Sequence, residues 1–225
     1  MDKQVLSKKR VADHGEVYTR KREVNAMLDL VKQETERIDS RFLEPACGTG
    51  NFLVEVLERK LRVVQERYRR SQLEYERNAV LAVSSIYGIE LMEDNVEGCR
   101  NRLFYIVDEQ YSSLFQKKTK KGYRQVIKYI LSKNIIHGNA LTLKTNSDNS
   151  QPIVFSEWAF VRGSMVKRRD FIFHELYPKY TCREPSLFDS PNERLVSDLG
   201  SDAFIPEPIK EYPLTHYMRI PDAVI

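Results

Sequence analysis

The sequence has little cysteine, and no two of its cysteines are close together. Cys47, Cys99 and Cys182 are far apart and none belongs to a C-x-x-C pair. Such spacing fits neither a zinc site nor the disulfide framework of a small secreted domain. The four histidines show no metal-ligand spacing either. We therefore expect reduced thiols and no bound metal.

Long apolar runs are also missing. No run approaches the roughly 20 apolar residues that span a bilayer, and the polar residues 1–10 are not followed by the apolar segment of a secretion signal. We therefore expect a cytoplasmic protein without a membrane partner. With 225 residues, 41% of them apolar and 30% charged, the chain has the size and composition of one α/β domain with a substantial core.

Acidic residues are outnumbered by basic residues in the first four fifths of the chain. The net charge is +4, but residues 181–225 contain twice as many acidic as basic residues, so the positive charge belongs to the part before them. A moderate positive field of this kind suits a polyanionic partner.

The apolar pattern predicts strands that alternate with helices. Residues 23–38 have apolar side chains at helical spacing, and a short strand follows at 41–43. After a glycine-containing loop, the pattern predicts a long helix from residue 53, a second helix at 73–83 and a third at 93–116. A strand is predicted at 85–91, and a further strand followed by a loop is predicted at 134–141. A helix followed by βαβαβ indicates a mainly parallel sheet with right-handed crossovers.

The residue pattern changes beyond about residue 145. Eight of the nine prolines come after residue 150, and helical periodicity is lost. Residues 153–155 and 171–173 are predicted as two further strands. The segment from Pro178 lacks the spacing of a long helix. We therefore expect a domain of residues 1–177 and an irregular extension, residues 178–225, that packs on it.

Two glycines in the loop at residues 46–50 point to a ligand site. Glycine lets backbone N–H groups between a strand and a helix approach a ligand closely, although a plain strand-to-helix turn has the same pattern. A dinucleotide-binding loop also needs a third glycine and an acid about 20 residues later. Neither is present, because Phe52 and Leu53 occupy the glycine position and the best acid, Glu90, comes much later. A nucleoside without phosphates, with Glu90 accepting from its ribose hydroxyls, is the better prediction. The alternative for Glu90 is an ordinary acid in the first turn of the next helix.

Four segments together resemble one family. Residues 44–52, EPACGTGNF, resemble the S-adenosylmethionine (AdoMet) binding motif of adenine-specific DNA methyltransferases in restriction-modification systems, especially type I methylation subunits. The segments GEVYT at 15–19, GIEL at 88–91 and HGNAL at 137–141 resemble the family's methionine, ribose and adenine motifs, in the same order. Together they extend from residue 15 to residue 141.

The resemblance implies a Rossmann-like AdoMet-dependent methyltransferase fold: a mainly parallel sheet with helices on both faces, an N-terminal helix and an irregular C-terminal tail. It also implies the residues that bind AdoMet, which are Tyr18, Thr19, Glu44, Pro45, Ala46, Cys47, Gly48, Gly50, Asn51, Phe52, Glu90, Leu91, Asn139 and Ala140. Two positions depart from the family, which commonly has proline in place of Arg20 and aspartate in place of Asn139. An amide oxygen can still accept a hydrogen bond from the adenine amino group.

The larger departure concerns catalysis. The family's fourth strand ends in Asn or Asp, two prolines and an aromatic residue that stacks on a flipped-out base. No such tetrapeptide occurs here. At that place we consider Ser156, Glu157 and Trp158 as substitutes, with Trp158 stacking on a base and Glu157 accepting a proton. The favoured alternative is packing, because large aromatic residues in strands are usually buried.

One basic stretch is the clearest candidate for nucleic-acid contact. No acidic residue lies between positions 117 and 133, and tyrosines are interleaved with the basic residues. The predicted phosphate contacts are Lys117, Lys118, Lys120, Lys121 and Arg124. A solvated helix face is the equally weighted alternative.

Three functions remain open from the sequence. The first is AdoMet-dependent methylation of the adenine amino group of DNA in a restriction-modification context. The second is a catalytically inactive AdoMet-binding subunit, or a component completed by a protein partner that supplies target recognition. The third is methylation of RNA or another amine. About 80 residues after the third strand are too few to complete the sheet and add a target-recognition region.

Overall fold

The structure, a computed structural model, describes residues 9–10, 12, 19–176 and 206–223. Its first sheet has four strands in the order β1, β2, β3, β4, in which β1 to β3 are parallel and β4 is antiparallel. The strands are β1 (Phe42–Glu44), β2 (Ile86–Glu90), β3 (Ile135–Asn139) and β4 (Lys144–Thr145). The predicted parallel strands and their order along the chain are therefore confirmed.

Helices precede and connect these strands. They are α1 (Lys21–Asp29), α2 (Lys32–Thr35), α3 (Asn51–Tyr68), α4 (Gln72–Ser84), α5 (Glu93–Phe115) and α6 (Lys121–Asn134). The stripe that predicted α3 is buried, since Leu53, Leu57, Leu61 and Val64 are at most 1% exposed. The single helix predicted at 23–38 is instead two short helices, because the chain turns after α1. Helix α6 was not predicted, although its apolar face is buried beneath the lysines.

The prediction of helices on both faces of the sheet is wrong for the α-helices of the part of the chain that the structure describes; only the 3-10 helix Phe173–Leu176 packs on the other face there. The helices share one core with Ile86 and Ile135 on one face of the sheet. Tyr87 and Ile89 point to the other face, where they pack against Ile153 and two phenylalanines. The strand order explains this difference. Right-handed crossovers that step in one direction, from β1 to β2 to β3, place their helices on the same side.

One end of a second, antiparallel sheet covers that other face, and the rest of its hairpin packs against the helices. It contains β5 (Val154–Arg162), β6 (Met165–Ile172), β7 (Lys210–Glu211) and β8 (Thr215–His216), and both β7 and β8 pair with β6. The two strands predicted at 153–155 and 171–173 are thus parts of one long hairpin. A 3-10 helix, Tyr217–Asp222, then packs on α6. The predicted C-terminal extension lies partly outside the described residues, but residues 206–223 pack on the rest of the chain.

Candidate functional site

A cavity of about 540 Å³ lies at the carboxyl ends of the three parallel strands. Glu44, Glu90 and Asn139 are the last residues of β1, β2 and β3, and all three line the cavity. Open α/β sheets bind ligands in the crevice outside these strand ends. The volume falls within the range of small-molecule sites, roughly 300–1,000 Å³.

The structure brings most of the sequence-predicted cofactor residues to this cavity. The predicted residues that line it are Thr19, Glu44, Pro45, Ala46, Cys47, Gly48, Asn51, Phe52, Glu90, Leu91, Asn139 and Ala140. Gly50 does not line it and is instead the N-cap residue of α3. Tyr18 lies outside the described residues. The family resemblance therefore predicts one surface from segments far apart in the sequence.

The loop between β1 and α3 depends on two glycines. Gly48 and Gly50 have positive φ angles of 52° and 87°, a conformation that other residues adopt only with strain. At Gly50 a Cβ atom would come within 2.7 Å of the Cys99 Sγ atom. The loop therefore closes tightly against α5, and this approach requires glycine.

Two side chains fix the loop from outside. Arg102 of α5 donates from Nη1 to the Thr49 carbonyl oxygen at 2.7 Å and to Asn51 Oδ1 at 2.9 Å. Asn51 donates from Nδ2 to the Thr19 carbonyl oxygen at 3.0 Å. The N-terminal segment that contains Thr19 is thus connected directly to the first turn of α3.

Glu90 holds the loop from inside the cavity. Its Oε2 accepts from the Gly48 N–H at 2.8 Å, while its Oε1 accepts from the Met92 N–H at 2.9 Å and from Asn95 Nδ2 at 3.5 Å. A carboxylate has about four acceptor sites, so three contacts leave one free. Ribose hydroxyls that donate to Glu90 would share this carboxylate with the loop.

Asn139 uses its oxygen within its own loop. Its Oδ1 accepts from the N–H groups of Leu141 at 2.8 Å and Thr142 at 3.3 Å. These two donors require the oxygen, not the amide nitrogen, to face the loop. The group that remains available is the Nδ2 donor. The sequence-based role, acceptance from an adenine amino group, does not fit this geometry, whereas donation to an adenine ring nitrogen does.

The cavity is acidic. Glu44 and Glu90 line it, and within the described part of the chain no lysine or arginine does. Burial raises the pKa of the Glu44 carboxyl, an effect that a hydrogen bond from the Ala46 N–H partly offsets. A hydrogen bond with Cys99 raises the pKa of the Cys47 thiol, and burial raises it further. Cys47 is therefore a neutral side chain here. This surface suits a cationic ligand better than a phosphorylated one.

Sequence reasoning missed several lining residues. Met92, Asn95, Gly138 and Leu141 also line the cavity. Asn95 is 4% exposed and reaches Glu90 from the first turn of α5. An asparagine in the predicted first turn of the helix after Glu90 was the available signal.

The three residues considered as catalytic substitutes, Ser156, Glu157 and Trp158, lie outside the cavity. Ser156 donates to Asp170 at 2.7 Å, and Trp158 Nε1 donates to Asn134 Oδ1 at 3.0 Å. Glu157 forms ion pairs with Arg41 and Arg169. These contacts lie near the beginnings of the parallel strands, because Arg41 precedes β1 and Asn134 precedes β3. The structure therefore separates all three residues from the cavity and gives each a structural contact.

Only some of the predicted nucleic-acid contacts are free to bind a phosphate. Lys120 pairs with the buried Glu76 at 2.8 Å, and Arg124 pairs with Asp108 at 2.6 Å. Tyr123, one of the interleaved tyrosines, is 1% exposed, so its ring is not available to stack on a base. Of the five predicted contacts, those exposed and without an ion pair to another described residue are Lys117, Lys118 and Lys121.

The described ranges contain neither a metal-ligand cluster nor a membrane-spanning helix. No cluster of three or more His, Cys, Asp or Glu side chains has an arrangement that would hold a metal ion within residues 19–176 or 206–223. No helix in the same part of the chain combines the length and apolar character that crossing a membrane requires.

Comparison with known proteins identifies the family. A sequence model described as the MmeI DNA-methyltransferase domain matches residues 18–161, which is more than half of the chain. No curated protein and no solved structure gives a significant match. The match includes every cavity-lining segment and ends within β5. The chain therefore belongs to the MmeI DNA-methyltransferase domain family, a restriction-modification methyltransferase family.

Proposed function

We propose that the cavity binds AdoMet and that the chain is an AdoMet-dependent DNA methyltransferase-like protein with a Rossmann-like cofactor site. The observation that carries this proposal is the convergence of Glu44, the glycine loop, Glu90 and Asn139 at three adjacent strand ends. AdoMet is a nucleoside without phosphates that has a positively charged sulfur and an ammonium group. Two lining carboxylates and no lining cation in the described residues suit that charge.

The donor and acceptor groups also suit AdoMet. Glu90 would accept from the ribose hydroxyls, and Asn139 would donate to a nitrogen of the adenine ring. Thr19, which the family resemblance assigns to the methionine part, and Glu44 also line the cavity. Bound AdoMet supplies an electrophilic methyl group, and by family resemblance the acceptor is the amino group of adenine in DNA. The protein contributes mainly by positioning donor and acceptor.

Calorimetry with AdoMet and with NAD tests the cofactor assignment. We expect AdoMet to bind and NAD to fail, because the pyrophosphate of NAD would face two carboxylates. Gly48→Trp should abolish AdoMet binding by filling the loop. Gly163→Trp is the matched control, since Gly163 has a similar φ of 56° and open space around it. If neither AdoMet nor S-adenosylhomocysteine binds, the proposal is wrong.

A second candidate is a non-catalytic AdoMet-binding subunit completed by a partner. The separation of Ser156, Glu157 and Trp158 from the cavity favours it. Strand β1 also pairs only with β2 among the described residues, so its second edge is open for a strand from another chain.

Transfer of a tritiated methyl group separates these two functions. The substrate is a mixture of DNA and RNA, and the chain is tested alone and together with the proteins encoded beside it. Label in DNA with the chain alone supports the first function. Label only after a neighbouring protein is added supports the second. Label in RNA alone would contradict the assignment to DNA.

A further inference from the structure

Two basic segments that are about 50 residues apart in the sequence meet at one end of the helical layer. Gln72, at the start of α4, donates from Nε2 to the Lys118 carbonyl oxygen at 2.9 Å. Gln110 of α5 donates from Nε2 to Gln65 Oε1 of α3 at 2.8 Å. The turn between α3 and α4 therefore lies beside the connection between α5 and α6.

This end of the molecule, which we call the distal pole, presents six exposed cationic side chains. They are Arg67, Arg69, Arg70, Lys117, Lys118 and Lys121. None of the six has a hydrogen bond or an ion pair with another described residue. Of the acids at this end, Glu74 is paired with Arg77 and Glu76 is fully buried. Glu66 and Glu109 remain exposed, which leaves a clear positive excess.

The distal pole lies far from the cavity. Helix α5 begins three residues after Glu90 and has 23 residues, so it extends about 34 Å at a rise of 1.5 Å per residue. The cavity is at its first turn and the pole is at its last. That length is about one helical turn of B-DNA. A nucleic acid on the pole therefore occupies a place separate from the cofactor.

The chemistry of the pole favours phosphate over a protein partner. Protein interfaces are centred on aromatic and apolar residues. Among the described residues of the α3–α4 turn region, Leu73 is the one large apolar side chain that is exposed, by about half. Unpaired lysine and arginine side chains without such a centre match the sequence-independent contacts that proteins make with nucleic-acid backbones.

We propose that the distal pole binds the phosphate backbone of duplex DNA, independently of sequence, as a second contact remote from the methyl donor. The choice of DNA rests on the proposed function, because the family acts on DNA. The pole would hold the duplex near the protein without presenting a base to the cavity.

Fluorescence anisotropy with a labelled 20-base-pair duplex of random sequence tests this proposal at several salt concentrations. One variant replaces three lysines of the pole by glutamine, and a second replaces two arginines of the other segment. A control removes three exposed cations from other surfaces. The three variants are Lys117→Gln/Lys118→Gln/Lys121→Gln, Arg69→Gln/Arg70→Gln and Arg22→Gln/Arg162→Gln/Lys210→Gln.

Each lost phosphate contact should reduce the slope of log K against log salt by about 0.9. We expect a reduction of about 2 to 3 for the lysine variant and of about 2 for the arginine variant. At about 100 mM salt the lysine variant should bind at least tenfold more weakly. The control should change the slope by less than about 1.

Three results would overturn the proposal: no duplex binding by the parent protein in low salt, unchanged slopes in both pole variants, or equal competition by polyglutamate, which would indicate an acidic protein partner. Its failure is distinguishable from failure of the proposed function. The pole variants should keep AdoMet affinity, and Gly48→Trp should lose AdoMet while it keeps duplex binding.

Discussion

Replacement of Glu90 by glutamine changes one atom of the side chain that joins the glycine loop to the cavity. The glutamate accepts from Gly48, Met92 and Asn95 through both of its oxygens. Glutamine retains one oxygen and presents an NH₂ group in place of the other. The NH₂ group then faces another donor, either the Gly48 N–H or the Met92 N–H at the start of α5. The shape of the side chain is otherwise preserved.

The expected magnitude follows from the charge of the lost acceptor. Hydrogen bonds to charged groups contribute about 1.5–3 kcal/mol, and Glu90 is 9% exposed, so solvent replaces the contact poorly. We expect the free energy of unfolding to fall by about 1.5–3 kcal/mol. Loss of one charge-assisted bond to a ribose hydroxyl should weaken AdoMet binding by about 10- to 150-fold.

Urea unfolding measures the first effect and calorimetry measures the second. Glu93→Gln is the matched control, because Glu93 is an exposed acid in the first turn of α5 and does not line the cavity. Its effect on the AdoMet dissociation constant should stay below about twofold. A folded Glu90→Gln protein whose AdoMet affinity lies within about threefold of the parent's would refute the assignment of Glu90 to the ribose.

Three further predictions concern buried polar groups. Burial lowers the pKa of Lys60 to about 7, from near 10.5. The unfolded chain therefore binds more protons between these values, and the parent should gain about 1.4 kcal/mol of stability per pH unit over Lys60→Met from pH 7.5 to 9.5; parallel urea-unfolding curves would contradict this. Burial raises the pKa of Glu76, but hydrogen bonds, first from Lys120, outweigh it and lower the value overall. Glu76→Gln should cost about 3 kcal/mol at pH 7, and thermal melts should show this difference shrinking as the pH falls below 4.5, whereas a constant difference would exclude the charged form. Trp158→Phe should lower the free energy of unfolding by about 1 kcal/mol, because the bond to Asn134 is lost, and leave AdoMet affinity unchanged. A loss of DNA affinity in that variant would restore the base-stacking role.

The sequence predicted the helix α3 and the strand ends at the cavity because their signals follow simple rules. Leu53, Leu57, Leu61 and Val64 lie at helical spacing and need no knowledge of distant residues. Glu44, Glu90 and Asn139 were brought together by one rule, since the carboxyl ends of adjacent parallel strands share an edge. Their assigned roles toward AdoMet stay predictions.

Other features depend on contacts that no local pattern contains. Lys117 and Lys120 look equivalent in the sequence, yet Glu76 from α4 pairs with the second and not with the first. Tyr123 alternates with lysines as a nucleic-acid-binding tyrosine would, but it lies on the buried stripe of α6. The covering of one sheet face by the β5–β6 hairpin follows from the path of the chain after β3, which strand and helix patterns do not specify.

The hydrogen bond from the Tyr217 hydroxyl to Glu76 Oε2, 2.7 Å long, joins residues 141 positions apart. During translation at about 5–20 residues per second, Glu76 is made about 7–28 seconds before Tyr217. Until Tyr217 is made, the Glu76 carboxylate, which is fully buried in the folded protein, lacks one of its donors. The core that includes Ile220 also stays incomplete. A ribosome that stalls between these codons would hold a chain with an open apolar core, which is a substrate for chaperones and proteases.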